Sequence, residues 1–508
     1  MSALSTAVGL DRVSAIVGYE IKASLAGIKA GNLPQRIAVL AEANTANQAI
    51  TDKLSFTNAK EVGVAFGYGS PAYHVARILR PISGDLLGGI PTVIYPVAEA
   101  AGATATVITM GITGTATKNV THKIVLSGRD QIDGTSYSFV VETDDEAAEI
   151  SQKMIDAVNA VLGAPAIGTV VADDAVFTSK WLGISSKEMN ITVDVQGDAA
   201  GITYSEDAKV DGAGAPSIAT ALAQFGDEWN TIVVNAVGSD STTLDALEAY
   251  NGDANTRTGR YEPTLFKPLV ALFGSSVSTL AALTSLTDAR KNEMTNALCP
   301  APGTLGFTFE APANVAVLYA KIAQDTPQTD SLGQLYPDMP TAEDIGDFAD
   351  TSKRDQIVKI GSSTVKINSS QYEIVDLVTT YHPVDEPATA TLFRWVRDLV
   401  GVDWNIKYKY TLLENINAIG KTILNDSSLS TAADTISPKR WKGILFGLAD
   451  QLEDEALIFD AQFMKDSIEV QIGESNPNRF ETVFDVQRTG TSRVLSTTNN
   501  TQFKFGGN

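Results

Sequence analysis

At 508 residues the chain is too long for one hydrophobic core, and its length fits two to four domains. Hydrophobic residues make up 44% and charged residues 19%, which excludes a disordered chain. The 38 Lys and Arg against 60 Asp and Glu give a formal charge of −22, which excludes phosphate-driven nucleic-acid binding unless a basic patch is hidden and keeps single copies apart in solution.

The N-terminal apolar run is broken by Asp11 and Arg12, with no basic residue before them, so it does not read as a signal peptide. Val13, Ala15, Val17, Tyr19 and Ile21 alternate with Ser14, Gly18 and Glu20 among others, the period of a strand. Ile37 to Ala43 reads as a buried strand. Leu86 to Gly114 is the most apolar stretch, yet Pro91, Pro96 and Glu99 argue against a membrane span. A soluble protein made in the cytoplasm is expected, and the single Cys299 suits a reducing compartment.

From about Ala100 the composition turns to Thr, Val, Ala and Gly, with strand-like runs at 104–109, 123–126 and 137–141. Thr143 and Glu146 stand at capping-box spacing before a helix whose apolar stripe is Ile150, Met154, Ile155, Val158 and Val161. Residues 99–166 therefore read as an inserted β-rich module, expected to be peripheral and replaceable. The middle alternates: strands at 231–237, 269–273 and ending at Cys299, helices near 243–250, 277–286 and 311–323. That order implies a parallel sheet covered on both faces. Further on, 371–381 is strand-like and 390–415 mostly helical. Ser437 then Pro438 make an N-cap and first helical position, followed by Trp441, Ile444, Leu445, Leu448 and Leu452 at helical spacing. After Asn476 two polar strands are expected, at 480–488 and 493–505.

Catalytic and ligand motifs do not assemble. His74, His122 and His382 are scattered far from Cys299, so no zinc set forms, and His382 before Pro383 reads as a loop histidine. There is no G-x-S-x-G elbow and no G-x-x-x-x-G-K-[ST] loop. Gly212 and Gly214 precede a helix but lack the third glycine of a dinucleotide loop, with Ser217 in its place. Asn251, Asp253, Asn255 and Glu262 match four places of a calcium loop, but Thr256 stands where its turn needs glycine. No metal, no cofactor and no catalytic residue is expected.

Two features resist the reading of an ordinary globular chain. Strands at both ends need partners for their backbone groups, either within the chain or on another copy. The helix from Pro438 also carries Lys439, Arg440 and Lys442 in its first turns and Asp450, Glu453, Asp454 and Glu455 in its last, against the macrodipole at both ends. Gly443 and Gly447 leave one side of it thin.

Several stretches in this order resemble the contractile tail sheath family of phages, in its Mu-like branch. They are VSAIVGYEIKASLAGIKAGNLPQRIAVLAEA at 13–43, GTSYSFVVETDDEAAEISQKMIDAVNAV at 134–161, VFTSKWLGISSKEMNITVDV at 176–195, GAGAPSIATALAQFGDEWNTIVVNAV at 212–237, IVDLVTTY at 374–381, and the stretch from Asn476 to Asn508. Residues 383–415 depart from it, being richer in aromatics and less charged than the long helix expected there.

The resemblance implies a multidomain α/β and α+β chain. Residues 1–24 would be an N-terminal linking strand, 25–98 with 167–370 an α/β core on a parallel-type sheet, and 99–166 the inserted module. Residues 371–487 would form a C-terminal α+β sheath domain and 488–508 a second linking strand. It implies a non-enzymatic subunit that polymerises as a six-fold helical sleeve around a tail tube and contracts to drive the tube through a cell envelope. Val13, Ala15, Val17, Tyr19, Arg493, Leu495, Phe503 and Phe505 would link subunits, and Lys439, Arg440 and Lys442 would face the tube. Its partners would be other copies, the tube protein, and baseplate and tail terminator proteins, with no nucleic acid and no membrane insertion. It would sit in a virion tail assembled in the host cytoplasm. The sheath of a phage-derived bacteriocin or secretion machine is the alternative within this class. An α/β enzyme or ligand-binding module is the alternative outside it.

Overall fold

The computed structural model describes residues 31–384, 393–428, 430 and 432–501. The N-terminal linking strand expected at 1–24 lies outside them. The described chain forms two compact units, one holding Asn32–Lys407 and the chain from Arg488 on, the other Tyr408–Gln487.

The larger unit is built on a six-stranded sheet in the order Asn296–Pro300, Val270–Ser275, Ile232–Asn235, Ile37–Glu42, Thr92–Val97, Leu54–Ser55. All neighbours are parallel except the last pair. The first five are buried at every position, as strands covered on both faces must be, and their sequences (IAVLAE, TVIYPV, IVVN) lack the alternation of a half-exposed sheet. Helices Pro71–Leu79, Ser241–Asn251 and Leu280–Thr287 each start on a side-chain cap, from Ser70, Asp240 and Thr279. Helix Glu310–Asp325 buries its whole first turn.

The β-rich region is larger than expected. Val107–Thr113 lies between Thr203–Val210 and Asp174–Ser179, and Ala166–Val171 completes that sheet. Val120–Leu126 lies between Ile191–Asp194 and Ser138–Val141. Pairing therefore runs to Val210, past the boundary expected at 166, because strands that continue an antiparallel sheet can lie far along the chain. Its helix is Ala147–Asn159, and its capping box is Glu146 with Glu149. Thr143 instead bonds Asn119, so the expected box was one turn too early.

The boundary expected at 371 also fails. Thr364–Asn368 pairs with Gln371–Asp376 in one hairpin, and the chain stays in the larger unit as far as Lys407. A π-helical turn at Arg397–Asp403 leads into helix Trp404–Asn417, close to the helical stretch expected at 390–415.

The smaller unit holds helices Pro438–Asp454 and Ala461–Ser467 and the antiparallel pair Glu469–Ile472 with Phe480–Val483. Trp441, Leu445, Leu448 and Leu452 are buried on one side of the first helix, as their spacing predicts. Lys409 is fully buried beside them and pairs with Glu455 at 2.9 Å. In the sequence Glu455 stands only among the acidic residues at the end of that helix.

Candidate functional site

In an open parallel sheet, ligands bind outside the carboxyl ends of the strands, where strand order reverses. Here Ile37–Glu42 is followed by a strand on one side and later by Ile232–Asn235 on the other, so such a switch exists. The β-rich region fills it. Lys180 O accepts from Thr45 N at 2.9 Å, Leu182 N donates to Glu99 at 3.2 Å, and Ser185 Oγ donates to Glu42 at 2.7 Å. Trp181 is fully buried, donates to Ser185 at 3.0 Å, and packs edge-on against Phe307 at 5.3 Å. Glu188 accepts from Thr308 N and Oγ1, both at 2.6 Å. Gly274 is required beneath this cover, since a Cβ there would collide with the Thr308 carbonyl.

A buried ionic network sits at the same edge. Glu310 opens its helix with no exposure, pairs with Arg129 at 2.6 Å, and lies 3.2 Å from His74 Nδ1. Arg77 pairs with Asp338 at 2.7 Å, and Arg129 pairs with Asp338 as well. Burial by itself would raise the Glu310 carboxyl, but the charge of Arg129, then the His74 imidazole beside it and the charge of Arg77, outweigh it and hold it down to about 2. Burial pushes His74 below the usual imidazole range. Glu42, with desolvation as the main cause, is pushed up to about 8. Nothing in the sequence spacing joins His74, Arg129 and Glu310; only the fold brings them together.

The weak sequence candidates are absorbed by packing. Asn251 is buried, donating to Leu269 O at 3.0 Å and Thr295 at 2.8 Å and accepting from Leu269 N at 2.9 Å, so it is no calcium ligand. Gly212 packs where a Cβ would collide with Ser186 Oγ, and the helix after it is only Ala219–Ala223. His382 Nδ1 bonds the Thr380 carbonyl at 2.7 Å. Among the described residues no group of His, Cys, Asp or Glu could hold a metal, and no helix is long and apolar enough to cross a membrane.

The smaller unit presents an open feature instead. Among the described residues, Phe480–Val483 pairs only with Glu469–Ile472, and its other side borders a groove of about 670 Å³. Tyr410, Glu414, Ile419, Lys421, Trp441 and Arg479 are among its other lining residues. Trp441 holds the strand through Thr482 at 3.2 Å, while Ile419 and Val483 stand 67% and 64% exposed. Two strands alone make a marginal sheet, and a strand paired on one side among the described residues, beside a groove of mixed polar and apolar lining, suits an added extended chain.

Helix Pro438–Asp454 starts as expected, Ser437 Oγ accepting from Arg440 N at 3.3 Å. Its basic turn divides. Lys439 and Arg440 are exposed, Arg440 donating to the Thr435 carbonyl at 2.9 Å, whereas Lys442 is half-buried, donates to the Ile468 carbonyl at 2.6 Å and lies over the Phe446 ring. Lys442 thus holds its own unit together. Beyond Gly443 and Gly447 there is open space.

The tail is anchored before it is exposed. Arg488 pairs with Asp403 at 3.3 Å, and Thr489 accepts from Arg397 through its carbonyl at 2.6 Å and its hydroxyl at 2.8 Å. Arg493 stacks 3.5 Å over the Trp395 ring and bonds Asp376 at 2.9 Å and also Asp330. The described part of the expected 493–505 strand, to Thr501, makes no strand, and Leu495 is exposed. Arg493 is therefore an intrachain contact here. Val13, Ala15, Val17, Tyr19, Phe503 and Phe505 lie outside the described residues.

No family model matches the sequence, and no curated protein does. Solved structures do match, across nearly the whole chain. A chain of the anti-feeding prophage baseplate in the contracted state is 11% identical with a TM-score of 0.50, covering 97% of this chain and 99% of that one. A sheath tail protein from Desulfitobacterium hafniense is 12% identical at a TM-score of 0.42, covering 93% and 100%. One from Listeria innocua is 13% identical at 0.44, covering 91% and 94%. The first shares its fold with this chain at full length.

Proposed function

We propose that this chain is the subunit of a contractile sheath, polymerising as a six-fold helical sleeve around a tail tube and contracting to drive that tube through a cell envelope. The full-length match in fold to a chain of a contracted injection-system baseplate carries the reading. Two local features support it. The crevice where an α/β enzyme would hold its substrate is packed with Trp181, Ser185 and Phe307. Among the described residues the strand Phe480–Val483 is paired on one side only, which leaves an edge and a groove for a strand from another copy.

In this reading the segments around Val13–Tyr19 and from Leu495 to Phe505 are the donated strands. Head-to-tail donation gives a ring where the rotation closes and an open helix of subunits where it does not, and the sleeve is the second case. Lys439 and Arg440 face the tube, where an acidic surface relieves their conflict with the helix dipole. Baseplate and tail terminator proteins bound the sleeve, and the sleeve belongs to a virion tail assembled in the host cytoplasm. The work comes from the difference between extended and contracted packing, with no nucleotide.

A second reading is the same sleeve in an extracellular injection machine, which the likeness to the anti-feeding prophage chain favours equally. Negative-stain images of the concentrated, purified chain test the shared core of both. Rings or tubes are expected. Monodisperse monomers whose melting responds to small ligands would instead favour a binding module or enzyme.

A further inference from the structure

The aspartate–tryptophan cage around Arg493 has no part in the core. Asp330 follows the helix Glu310–Asp325, Asp376 ends a hairpin strand, and Trp395 lies further along the chain, so three separate segments converge on one guanidinium. Thr364 Oγ1 holds Asp376 from behind at 2.5 Å. A planar guanidinium that stacks on an indole while bonding two carboxylates is fixed in position and direction, which a lysine ammonium could not match. The side chain is 18% exposed, against 11% and 17% for its aspartates, so the cage is largely shielded from solvent. Upstream, Thr489 on Arg397 and Arg488 on Asp403 hold the same stretch. Downstream the pattern stops. From Val494 to Thr501 every residue is exposed, with Val494 at 88%, and no hydrogen bond ties the segment to other described residues.

We infer that the Asp330–Asp376–Trp395 cage is the anchor of an exchange arm: it pins Arg493 to its own subunit and thereby presents the segment from Val494 onward to a second copy of this chain. This rests on the sheath reading. Without this pin the arm would leave its subunit at Thr489, the next point held, so its tether lengthens and loses the direction set at Arg493, and the local concentration of its strand at the neighbour falls. With the pin, tension on the arm reaches the hairpin and the Glu310 helix of the donor.

The cage can be tested without polymerisation. Trypsin must take the Arg493 guanidinium into its own pocket to cut after it. In the full-length monomer, D330N/D376N should speed the cut after Arg493, followed apart from the cut after Lys504, more than tenfold at unchanged circular dichroism. Equal cleavage in variant and wild type overturns the anchor. In assembly, Arg493→Ala should cut the sedimenting fraction at least tenfold, with Arg493→Lys intermediate. Wild-type tubes that form equally well from Arg493→Ala also overturn it. A wild-type chain that never polymerises counts against the sheath reading, and the tryptic rates then still decide the anchor.

Discussion

Glu42 and Glu310 end up with opposite acidities at one sheet edge, and the surroundings explain why. Glu42 has Ser185 as its hydrogen-bond donor and no cation beside it, so desolvation wins and the acid stays protonated up to about pH 8. Its folded pKa lies above its unfolded one, so its contribution is complete below about pH 4.5 and is lost as pH rises through about 8. Glu42→Gln removes that loss. The variant should therefore gain stability over wild type as urea melts move from pH 6 to pH 9.

Glu310 works the other way. Held down to about 2, it contributes fully above about pH 4.5 and loses that contribution between there and about 2. His74 adds to acid sensitivity, because its folded pKa is lowered and the unfolded chain takes up a proton first below about pH 6.5. Glu310→Ala leaves Arg129 and Arg77 buried with too few anions. A loss of roughly 3–5 kcal/mol is expected in denaturant titration at pH 7, as for a broken buried pair.

Among the elements, the helix from Pro438 separates stability from use. Lys439 and Arg440 occupy the end where the dipole disfavours cations, a few tenths to about 1 kcal/mol each. Replacing both with glutamate loses Arg440's solvent-exposed bond to the Thr435 carbonyl but relieves the dipole conflict, so the melting temperature of the monomer should stay equal or rise. The same variant should polymerise yet fail to hold an extended sleeve on its tube, and added salt should mimic it on wild type. A lowered monomer melting temperature would show that the pair stabilises its own unit. Lys442 is left in place, since its bond to Ile468 makes it structural.

This helix was legible in the sequence because its signals are local: a cap, a proline and an apolar stripe. Four of the five parallel strands were legible for the same reason, as short apolar runs between helical patterns; Thr92–Val97, inside the apolar stretch from Leu86 to Gly114, was not read as a strand. The β-rich region was misjudged because pairing Val107–Thr113 with Thr203–Val210 is a contact across about ninety residues, which composition does not reveal. The hairpin Thr364–Asp376 was cut because its first strand, TVKIN, is half polar and carries little apolar signal. The cage around Arg493 was invisible for a different reason. Its aspartates lie more than a hundred residues away, and a lone arginine in a polar tail looks solvated.

For the whole molecule, the β-rich region is a structural cover and not a removable ornament. Replacing residues 101–213 with a Gly-Ser linker would uncover Glu42, His74, Phe307 and Glu310 together. Burying several aromatic and aliphatic side chains stabilises a core by roughly 1.5–3 kcal/mol each, so this loss exceeds the stability of most domains. The deletion should give insoluble or molten protein, read as lost near-ultraviolet circular dichroism. A soluble, cooperatively melting product would return the region to the peripheral role its composition suggested.

The central claim is that copies of this chain join through exchanged strands. Cryo-electron microscopy of the purified full-length chain at polymerising concentration, beside a version lacking residues 494–508, tests it most directly. The full chain should form helical tubes in which density from one copy's tail lies against Phe480–Val483 of another, and the shortened chain should remain monomeric with native circular dichroism. Tubes of normal length from the shortened chain, or tails folded back on their own subunits within the tubes, would contradict it.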